Sequence, residues 1–465
     1  MRELPKQPYI IQPPPEVLAL LQSLAAQGFE AFVVGGCVRD SLLGRAPADW
    51  DIATAALPQQ VMRCFDGQYE LFSPGLKFGT VTVAAGELRC EVTTYRSDGP
   101  SSDYRRPQQV RFTALLQEDL ARRDFTINAM AWNPARGLQD PYGGLADLRA
   151  GVIRCVGDPQ SRFREDALRI FRCARFAAVL GFEIEAQTRA GMLELCDLLQ
   201  HIAAERLQAE LCKALMGEAF AAVFLQNHAV ITAVIPELAP MVGFAQNNPH
   251  HIYDVWEHTL RAVQAAAPVL PVRLALLLHD IGKPAVYWAD PQGVGHFCEH
   301  PQVGANMSKE ILRRLRFDNA TVALVQKLVR YHALYTDPSP ADIRRWLHRL
   351  GEETFRLLLL VCRADTAAKS PQTAQQGAAH LNRMEQLLDA VLAEAPCVTL
   401  AGLAVDGRDL MALGVPKGPQ VGAWLRMLLE QVLAGAPNDR EAMLRQLASW
   451  LAAGEEPNIP PERLL

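Results

Sequence analysis

Two aspartates separated by one residue, Asp49 and Asp51, are the first residues of the chain whose types and spacing could do chemistry. They lie in ADWDIAT, a segment whose apolar and β-prone residues predict a strand. Because alternate side chains of a strand point to one face, the two carboxylates should converge while Trp50 turns into the core. Glu91, in RCEVTTYR, supplies a third carboxylate on a neighbouring predicted strand.

Clustered carboxylates of this kind predict a cation site. They repel one another unless a cation lies between them, and oxygen ligands suit Mg²⁺, which keeps several waters and bridges to phosphates. Three carboxylates can hold two metals about 4 Å apart, the arrangement used for in-line displacement at phosphorus. A solvated Asp-x-Asp at the end of a surface strand is the simpler alternative.

A pair of glycines, Gly35 and Gly36, precedes the aspartates by a short interval. They follow AFVV and precede VRDSLL, which predicts a strand, a turn and a helix. The backbone of such a turn can approach a phosphate closely, and the helix N-terminus and Arg39 add donors. The turn alone is a weak signal, but its combination with an arginine and the carboxylate pair favours phosphate chemistry.

The segment REDALRIFRCARF predicts a helix on which Asp166 and Arg169 are neighbours at i and i+3. They could simply form a surface ion pair. Alternatively, they could read a base edge, because cytosine and adenine both present an amino donor beside a ring-nitrogen acceptor. Uracil and guanine would leave buried groups unpaired at such a site. Arg172 and Arg175 continue the same inclined row.

Strand and helix patterns divide the chain into an α/β part and a helical part. Strand patterns run from 31 to about 133 and include a hairpin about Gly86-Glu87. Strand signals disappear from about 160 onward. The predicted helices lie near 15–27, 38–44, 58–66, 163–180, 188–199, 203–216 and 219–227, with further helices through 250–450.

Histidines and aspartates with metal-ligand spacing lie in the helical part: His258, His279, Asp280 and Asp365. Their spacing resembles that of an HD-type phosphohydrolase fold, in which they would hold a divalent metal. His300 and His332 could complete a second metal site. Whether this domain hydrolyses phosphate esters or only binds RNA stays open, since a fold does not determine a function.

Composition indicates an ordinary globular protein of several domains. The 465 residues are 49% hydrophobic and 21% charged, with a net charge of −5. Any nucleic-acid contact must therefore come from local basic patches, and two occur, at 104–124 and 162–175. The alternative interpretation is that both patches are ordinary charged faces in contact with solvent. The ten cysteines form no Cys-x-x-Cys pair, and no apolar run could span a membrane. With no signal-peptide core at the start, we expect a cytoplasmic protein without a membrane partner.

The segment VVGGCVRDSLLGRAPADWDIAT resembles the signature of the nucleotidyltransferase superfamily that includes class II CCA-adding enzymes and bacterial poly(A) polymerases. Similar blocks follow in order at 118–134, 140–159, 162–185 and 205–211. The resemblance implies an α+β fold: a small mixed-sheet nucleotidyltransferase head, then a long all-helical neck, an HD-type body and a tail. The expected boundaries are a leader at 1–24, the head at 25–150, the neck at 151–240, the HD-type domain at 241–370 and the tail at 371–465.

The resemblance also implies an activity, the template-independent addition of CCA to the 3′ end of tRNA from CTP and ATP, releasing pyrophosphate. It makes Asp49, Asp51 and Glu91 catalytic, the two aspartates as Mg²⁺ ligands. Asp166 and Arg169 would pair with the incoming base. The nucleotide-binding residues would further include Gly35, Gly36, Arg39, Arg123, Arg172 and Arg175. The body would contact the acceptor and T arms of tRNA through phosphates.

Short segments distinguish CCA addition from the activities of related enzymes in the same group. Lys-Phe-Gly-Thr-Val, within 73–83, is similar to the CCA-adding version, where poly(A) polymerases of the group carry an arginine-rich stretch. Residues 98–107 resemble a flexible loop that enzymes adding the terminal A retain, although Ser101 stands where an aromatic is common. Poly(A) polymerase and an A-only enzyme are thus the alternatives, and an RNA-binding module without catalysis is the alternative from another class. Oligomeric state stays open.

Overall fold

The computed structural model describes residues 11–73, 75–98, 110–334 and 338–457. By contacts the chain separates into two compact units, residues 1–239 and 240–465. The first unit combines a sheet with helices, and the second is almost entirely helical, which confirms the predicted fold class. No helix of the described segments is long and apolar enough to cross a membrane.

The first part of unit 1 is built on strands. Their bounds are β1 (Ala31–Val34), β2 (Asp51–Thr54), β3 (Glu70–Phe72), β4 (Thr80–Ala85), β5 (Leu88–Thr94), β6 (Arg96–Asp98), β7 (Val110–Phe112), β8 (Ala131–Asn133) and β9 (Gly137–Gln139). Seven of them form one mixed sheet in the order β3-β4-β5-β2-β1-β8-β9, in which only β2 and β5 pair in parallel. The predicted hairpin is confirmed: β4 and β5 pair through Ala85 and Leu88 about Gly86-Glu87.

Five helices accompany this sheet: α1 (Pro15–Ala26), α2 (Gly36–Leu42), α3 (Pro58–Phe65), α4 (Leu116–Ala121) and α5 (Gly144–Ala150). Helix α1 buries its leucines and packs on β1 and α3, so the expected leader boundary at residue 24 falls inside a helix of the head. A core beneath the sheet includes Phe32, Ala53 and Tyr95. Burial of this core, which includes Ala53 of β2, fixes the position of the strand that begins at Asp51.

The rest of unit 1 is mainly helical. Its elements are β10 (Val152–Ile153), α6 (Pro159–Glu165), α7 (Leu168–Leu180), β11 (Glu183–Ile184), α8 (Ala186–Glu194), α9 (Ala204–Leu215), α10 (Phe220–Gln226) and α11 (His228–Val234). Helix α7 packs against α9 and α10. Two predictions are wrong here. The helix expected at 163–180 is broken at Asp166, which is extended. A strand also occurs beyond residue 160: β11 pairs in parallel with β10. It was not predicted because the strand is too short to show alternation of apolar and polar residues.

Unit 2 contains α12 (Val255–Ala265), α13 (Leu270–Leu278), α14 (Lys283–Val286), β12 (Trp288–Ala289), β13 (Gly295–His296), α15 (His300–Arg314), α16 (Asn319–Tyr331), α17 (Pro340–Leu350), α18 (Glu352–Ala367), α19 (Pro371–Ala393), α20 (Gly407–Ala412), α21 (Pro419–Ala434) and α22 (Arg440–Ala452). Helices α13, α16 and α18 pack on one another, and α12 packs on α13 and α18. His258 lies on α12 and His300 begins α15, while His279 and His332 directly follow α13 and α16. The hairpin β12–β13 is a second strand feature that the sequence did not predict. A separate core about Trp424 and Trp450 joins the last helices.

Candidate functional site

The acidic residues of the head meet on two neighbouring parallel strands, at the start of β2 and in the middle of β5. Strand β2 begins at Asp51, which lies in register with Glu91 on β5. Asp49 is exposed just before the strand, so it is not itself a strand residue as expected, although Trp50 between them is buried as expected. Burial is the main cause that raises the pKa of Asp51 to about 6; the negative charges of Glu91 and Asp49 contribute to this rise, and Arg123 opposes it.

This raised pKa tests whether the residues fit a divalent cation. A half-buried carboxylate beside two others is held in an unfavourable electrostatic setting, which a cation would relieve. Oxygen ligands from Asp49, Asp51 and Glu91 are the donors that a hard divalent cation prefers. The three acidic residues therefore fit such an ion.

The glycine turn connects β1 to α2 and approaches Arg123. Gly35 has φ +79°, a conformation that side chains other than glycine rarely adopt, and a Cβ there would lie 2.9 Å from Nη1 of Arg123. Nη2 of Arg123 donates to buried Asp119 at 3.3 Å, while its buried Nε has no hydrogen-bond partner. The predicted turn, the predicted arginine and Asp51 are thus brought together.

Arg39 on α2 lies between Asn128 and Phe176. Its Nε and Nη2 donate to Asp40 at 2.9 Å each, and its Nη1 donates to Oδ1 of Asn128 at 2.7 Å. Nδ2 of Asn128 donates to Asp124 at 3.0 Å. The guanidinium also lies 5.1 Å from the ring centroid of Phe176 on α7. Arg39 therefore links the glycine turn to α7, the helix that carries Arg169.

Asp166 and Arg169 do not pair on one helical face, which corrects the geometry expected from the sequence. Asp166 is extended between α6 and α7, and its carboxylate accepts from the backbone N–H of Leu168 at 3.1 Å. The same carboxylate accepts from Arg206 at 2.7 and 3.3 Å. Arg169 donates instead to Glu165 at 2.7 Å and to two backbone carbonyls. Each residue is held, but by separate partners.

Arg172 and Arg175 face two buried carboxylates. Arg172 donates to Oδ2 of Asp124 at 2.6 and 2.8 Å, and Arg175 donates to Glu210 at 2.7 Å. Although burial opposes it, the charge of Arg172 keeps the pKa of Asp124 below its usual range. Arg175 also lies 3.5 Å above the ring centroid of Phe176. Phe176 and Glu210 were not predicted, although Glu210 lies in the quoted block at 205–211.

Two sequence features lie outside the described residues. These are Arg105 and Arg106 of the first basic patch, and residues 99–107 of the loop associated with terminal A addition. The described remainder of the first patch includes Arg122 and Arg123, both of which form ion pairs with Asp119.

Unit 2 brings all the predicted metal ligands together in a buried cluster. His258, His279 and Asp280 form one group, and Asp280, His300 and His332 form another, with the ligand atoms of each group within 4.8 Å of one another. Asp365 joins the first group, its Oδ1 3.0 Å from Nε2 of His258. Asp280 is common to both groups and lies between them.

Hydrogen bonds at the outer ring nitrogens orient the histidines. The Nδ1 atoms of His279, His300 and His332 each lie 2.6–2.7 Å from the carbonyl three residues earlier. With Nδ1–H donated to the carbonyl, Nε2 of each ring faces Asp280, which is how proteins orient imidazoles that bind metals. Burial lowers the pKa of His332 to about 3, so this ring is neutral.

The acidic members of the cluster are ionised and incompletely satisfied. Despite burial, the positive charges around Asp280, led by His279, hold its pKa well below the usual range. Lysines provide part of the charge balance: Lys283 lies 2.7 Å from Asp280, and Lys369 lies 2.8 Å from Asp365. Oδ2 of Asp280 is buried without a well-directed hydrogen bond. A divalent metal binds imidazoles in their neutral form, so it would displace the proton on His279, whose pKa, despite burial, is raised to about 9 by Asp280 and Asp365.

Family models match the regions of the chain that contain the acidic residues of the head and the histidine cluster. The Poly A polymerase head domain matches residues 31–154, a probable RNA- and SrmB-binding site of polymerase A matches 181–241, and the HD domain matches 251–369. A CCA-adding enzyme of Levilactobacillus brevis is 34% identical over 91% of this chain and 95% of its own length.

Solved structures give the same result. The Bacillus stearothermophilus CCA-adding enzyme, solved in complex with CTP, superposes with a TM-score of 0.73 at 30% identity, covering 95% of this chain and 99% of that one. The Thermotoga maritima CCA-adding enzyme complexed with tRNA shares the fold, with a TM-score of 0.59 at 20% identity over 94% and 96% of the two chains.

The fold and the head site define a nucleotidyltransferase enzyme with an RNA-binding region and an HD domain. Within that class, the chain belongs to the CCA-adding enzyme family.

Proposed function

We propose that this protein adds C, C and A to the 3′ end of tRNA, using CTP and ATP and releasing pyrophosphate. The observation that carries the proposal is the meeting of Asp51, Glu91 and Arg123 at the Gly35 turn, in a chain whose relatives are CCA-adding enzymes. Carboxylates and a guanidinium beside a glycine turn provide both the cation and the anion contacts that a nucleoside triphosphate needs.

Asp49, Asp51 and Glu91 would hold Mg²⁺. When bound, the ion would neutralise charge on the phosphates and make the primer hydroxyl more acidic. Arg123 would donate to the triphosphate, and the Gly35 turn would let its backbone approach the same phosphates. The 3′-oxygen forms a bond to the α-phosphorus as the bond to pyrophosphate breaks, so positioning and electrostatics provide the catalysis.

We propose that Asp166 and Arg169 select the base, although different hydrogen-bond partners hold the two side chains in place. Asp166 accepts from the amino group of cytosine or adenine, and Arg206 and the N–H of Leu168 hold its carboxylate in place. Arg169, fixed by Glu165 and two carbonyls, donates to the ring nitrogen. Uracil and guanine present the opposite pattern and leave groups unpaired.

The tRNA would be bound by the neck and the HD-type body through backbone phosphates. We propose the expected boundaries as the functional division: the head at 25–150, the neck at 151–240, the HD-type domain at 241–370 and the tail at 371–465. The match of an RNA-binding family model to residues 181–241 supports an RNA contact in the neck. Contact with the acceptor and T arms, and a cytoplasmic location, remain predictions.

A transcript that lacks its last three nucleotides tests the activity directly. Incubated with Mg²⁺, it should gain CC with CTP alone, and one further A only when ATP is added. Extension of a CC-ending transcript alone would instead indicate an A-adding enzyme, and a long A ladder would indicate a poly(A) polymerase. Asp51→Ala should abolish incorporation while tRNA binding persists, whereas Asp66→Ala, which removes an exposed carboxylate of the head, should change neither.

A second activity is proposed for the HD domain: metal-dependent hydrolysis of nucleotide or RNA 2′,3′-phosphates. The specific observation is the pair of ligand groups that share Asp280. Metal analysis of the purified protein should find a divalent metal, and Asp280→Ala should lose both the metal and the hydrolysis. Asp389→Ala, on the exposed face of α19, is the matched control. Absence of bound metal, or hydrolysis that survives Asp280→Ala, would exclude this activity.

A further inference from the structure

The hairpin β12–β13 exposes an aromatic pair in unit 2. Trp288 is 51% exposed, and its indole stacks on the ring of His296 at 4.4 Å with an interplanar angle of 21°. Nε2 of His296 lies 2.9 Å from Oδ2 of Asp290, whose Oδ1 accepts two backbone N–H groups of the turn. The two rings are therefore held in a stacked arrangement by the hairpin itself.

The base of this hairpin is attached to the metal-ligand cluster. Phe297, the next residue after β13, presents its carbonyl 2.6 Å from Nδ1 of His300, a member of the second ligand group. The Phe297 ring lies 5.3 Å from the ammonium of Lys283, which is also 2.7 Å from Asp280. Adjacent residues of one short segment thus form the exposed stack and orient a metal ligand.

The segment opposite the hairpin holds it firmly. Gly295 donates its N–H to Asn247 at 2.8 Å, and a Cβ on Gly295 would lie 2.2 Å from the carbonyl oxygen of Gln246. The Gln246 side chain accepts from Lys283 at 2.7 Å. The hairpin and the cluster therefore share supports through Gln246 and Lys283, which restricts the motion of one relative to the other.

We propose that Trp288 and His296 form a stacking platform for the nucleobase of the substrate whose phosphate reaches the HD cluster. This inference rests on the phosphohydrolase activity proposed above and names its substrate class, a nucleoside 2′,3′-phosphate. An exposed aromatic face fits a base of any kind, because every base has a π-face. The nucleobase and its 2′,3′-phosphate belong either to a free nucleotide or to the 3′ end of an RNA, since both carry the same groups.

Kinetics with matched substrates test the platform. For adenosine 2′,3′-cyclic phosphate, Trp288→Ala should raise KM about tenfold with kcat little changed, in line with measured base–aromatic stacking. An abasic ribose 2′,3′-cyclic phosphate should show no change, and Trp288→Phe should retain most of the affinity. Leu413→Ala, which removes an exposed apolar side chain of the tail, is the control. Kinetics in Trp288→Ala that are unchanged with both this nucleotide and an RNA ending in a cyclic phosphate would overturn the proposal, as would an equal rise in KM for the abasic substrate.

A short oligoribonucleotide ending in a cyclic phosphate separates the two sources. A rise in KM for this substrate alone assigns the platform to RNA ends, and a rise for both assigns it to nucleobases in general. If the unmodified protein hydrolyses neither substrate, the phosphohydrolase proposal fails. Titration with adenosine 2′-phosphate then tests the platform alone, because binding lost in Trp288→Ala supports it and unchanged binding refutes it.

Discussion

Removal of Arg206 should relax base selection without touching the metal-binding residues. The structure places Arg206 on α9, where it donates twice to the Asp166 carboxylate. Without it, that carboxylate keeps only the N–H of Leu168 at 3.1 Å and regains rotational freedom. Because Asp166 is proposed to accept from the amino group of the incoming base, a loosely held carboxylate should discriminate less well.

The expected magnitude follows from the exposure of the pair. The side chains of Arg206 and Asp166 are 27% and 21% exposed, so solvent screens their ion pair in part. Arg206→Ala should lower the free energy of unfolding by about 1 kcal/mol, too little to unfold the protein. Loss of one orienting contact, about 1.4 kcal/mol, corresponds to roughly a tenfold change in discrimination.

Single-nucleotide incorporation measures this effect. We expect the ratio of kcat/KM for UTP to that for CTP to rise about tenfold in Arg206→Ala, while affinity for tRNA is unchanged. Arg206→Lys keeps the charge but not the bidentate geometry and should give an intermediate ratio. Arg136→Ala, which deletes a surface ion pair with Glu30, serves as the control. An unchanged ratio in Arg206→Ala, beside a raised ratio in Asp166→Ala, would refute the supporting role of Arg206.

Three other outcomes are expected. Gly35→Ala should reduce kcat/KM at least about tenfold, because a Cβ 2.9 Å from Arg123 Nη1 at φ +79° displaces the turn or the arginine; steady-state incorporation measures it. Gly144→Ala should lower the free energy of unfolding by about 2–3 kcal/mol in urea, since its Cβ would lie 2.2 Å from the carbonyl oxygen of Thr126. Gly422→Ala is its control: a Cβ there would make an ordinary contact with Arg426 Nη1 at 3.5 Å, so the free energy of unfolding should be unchanged or higher. His300→Ala should reduce bound metal from two ions to one by elemental analysis.

Much of the head could be predicted because its signals are local. Alternation of apolar and polar residues defined β4 and β5, and the two-residue turn at Gly86-Glu87 set their register. The adjacency of Asp51 and Glu91 then followed from the pairing of neighbouring strands. The hairpin depends on residues close in sequence, so one sequence contains enough information to find it. The pairing of Asp51 with Glu91 instead joins residues forty positions apart and was expected from the chemistry of a carboxylate site.

The break at Asp166 could not be predicted in the same way. Helical periodicity continues through the segment, and the extended Asp166 is held both by the N–H of Leu168 and by the tertiary contact with Arg206, forty residues later. Tertiary contacts override local propensity at such positions. The roles of Phe176 and Glu210 were missed for a related reason: an aromatic and a glutamate on predicted helices look like an ordinary core residue and an ordinary surface residue.

The carboxylate partners of Arg172 and Arg175 affect how these two arginines can bind a phosphate. Arg172 and Arg175 are anchored by Asp124 and Glu210, because a largely buried guanidinium without a partner would be costly. A triphosphate that engages either arginine must compete with a carboxylate already in place. Phe176 can stay beneath the guanidinium of Arg175 during such an exchange, since its stacking contact does not use the N–H donors. Glu210 would then set the affinity of the phosphate contact, and Phe176 would keep the guanidinium in position.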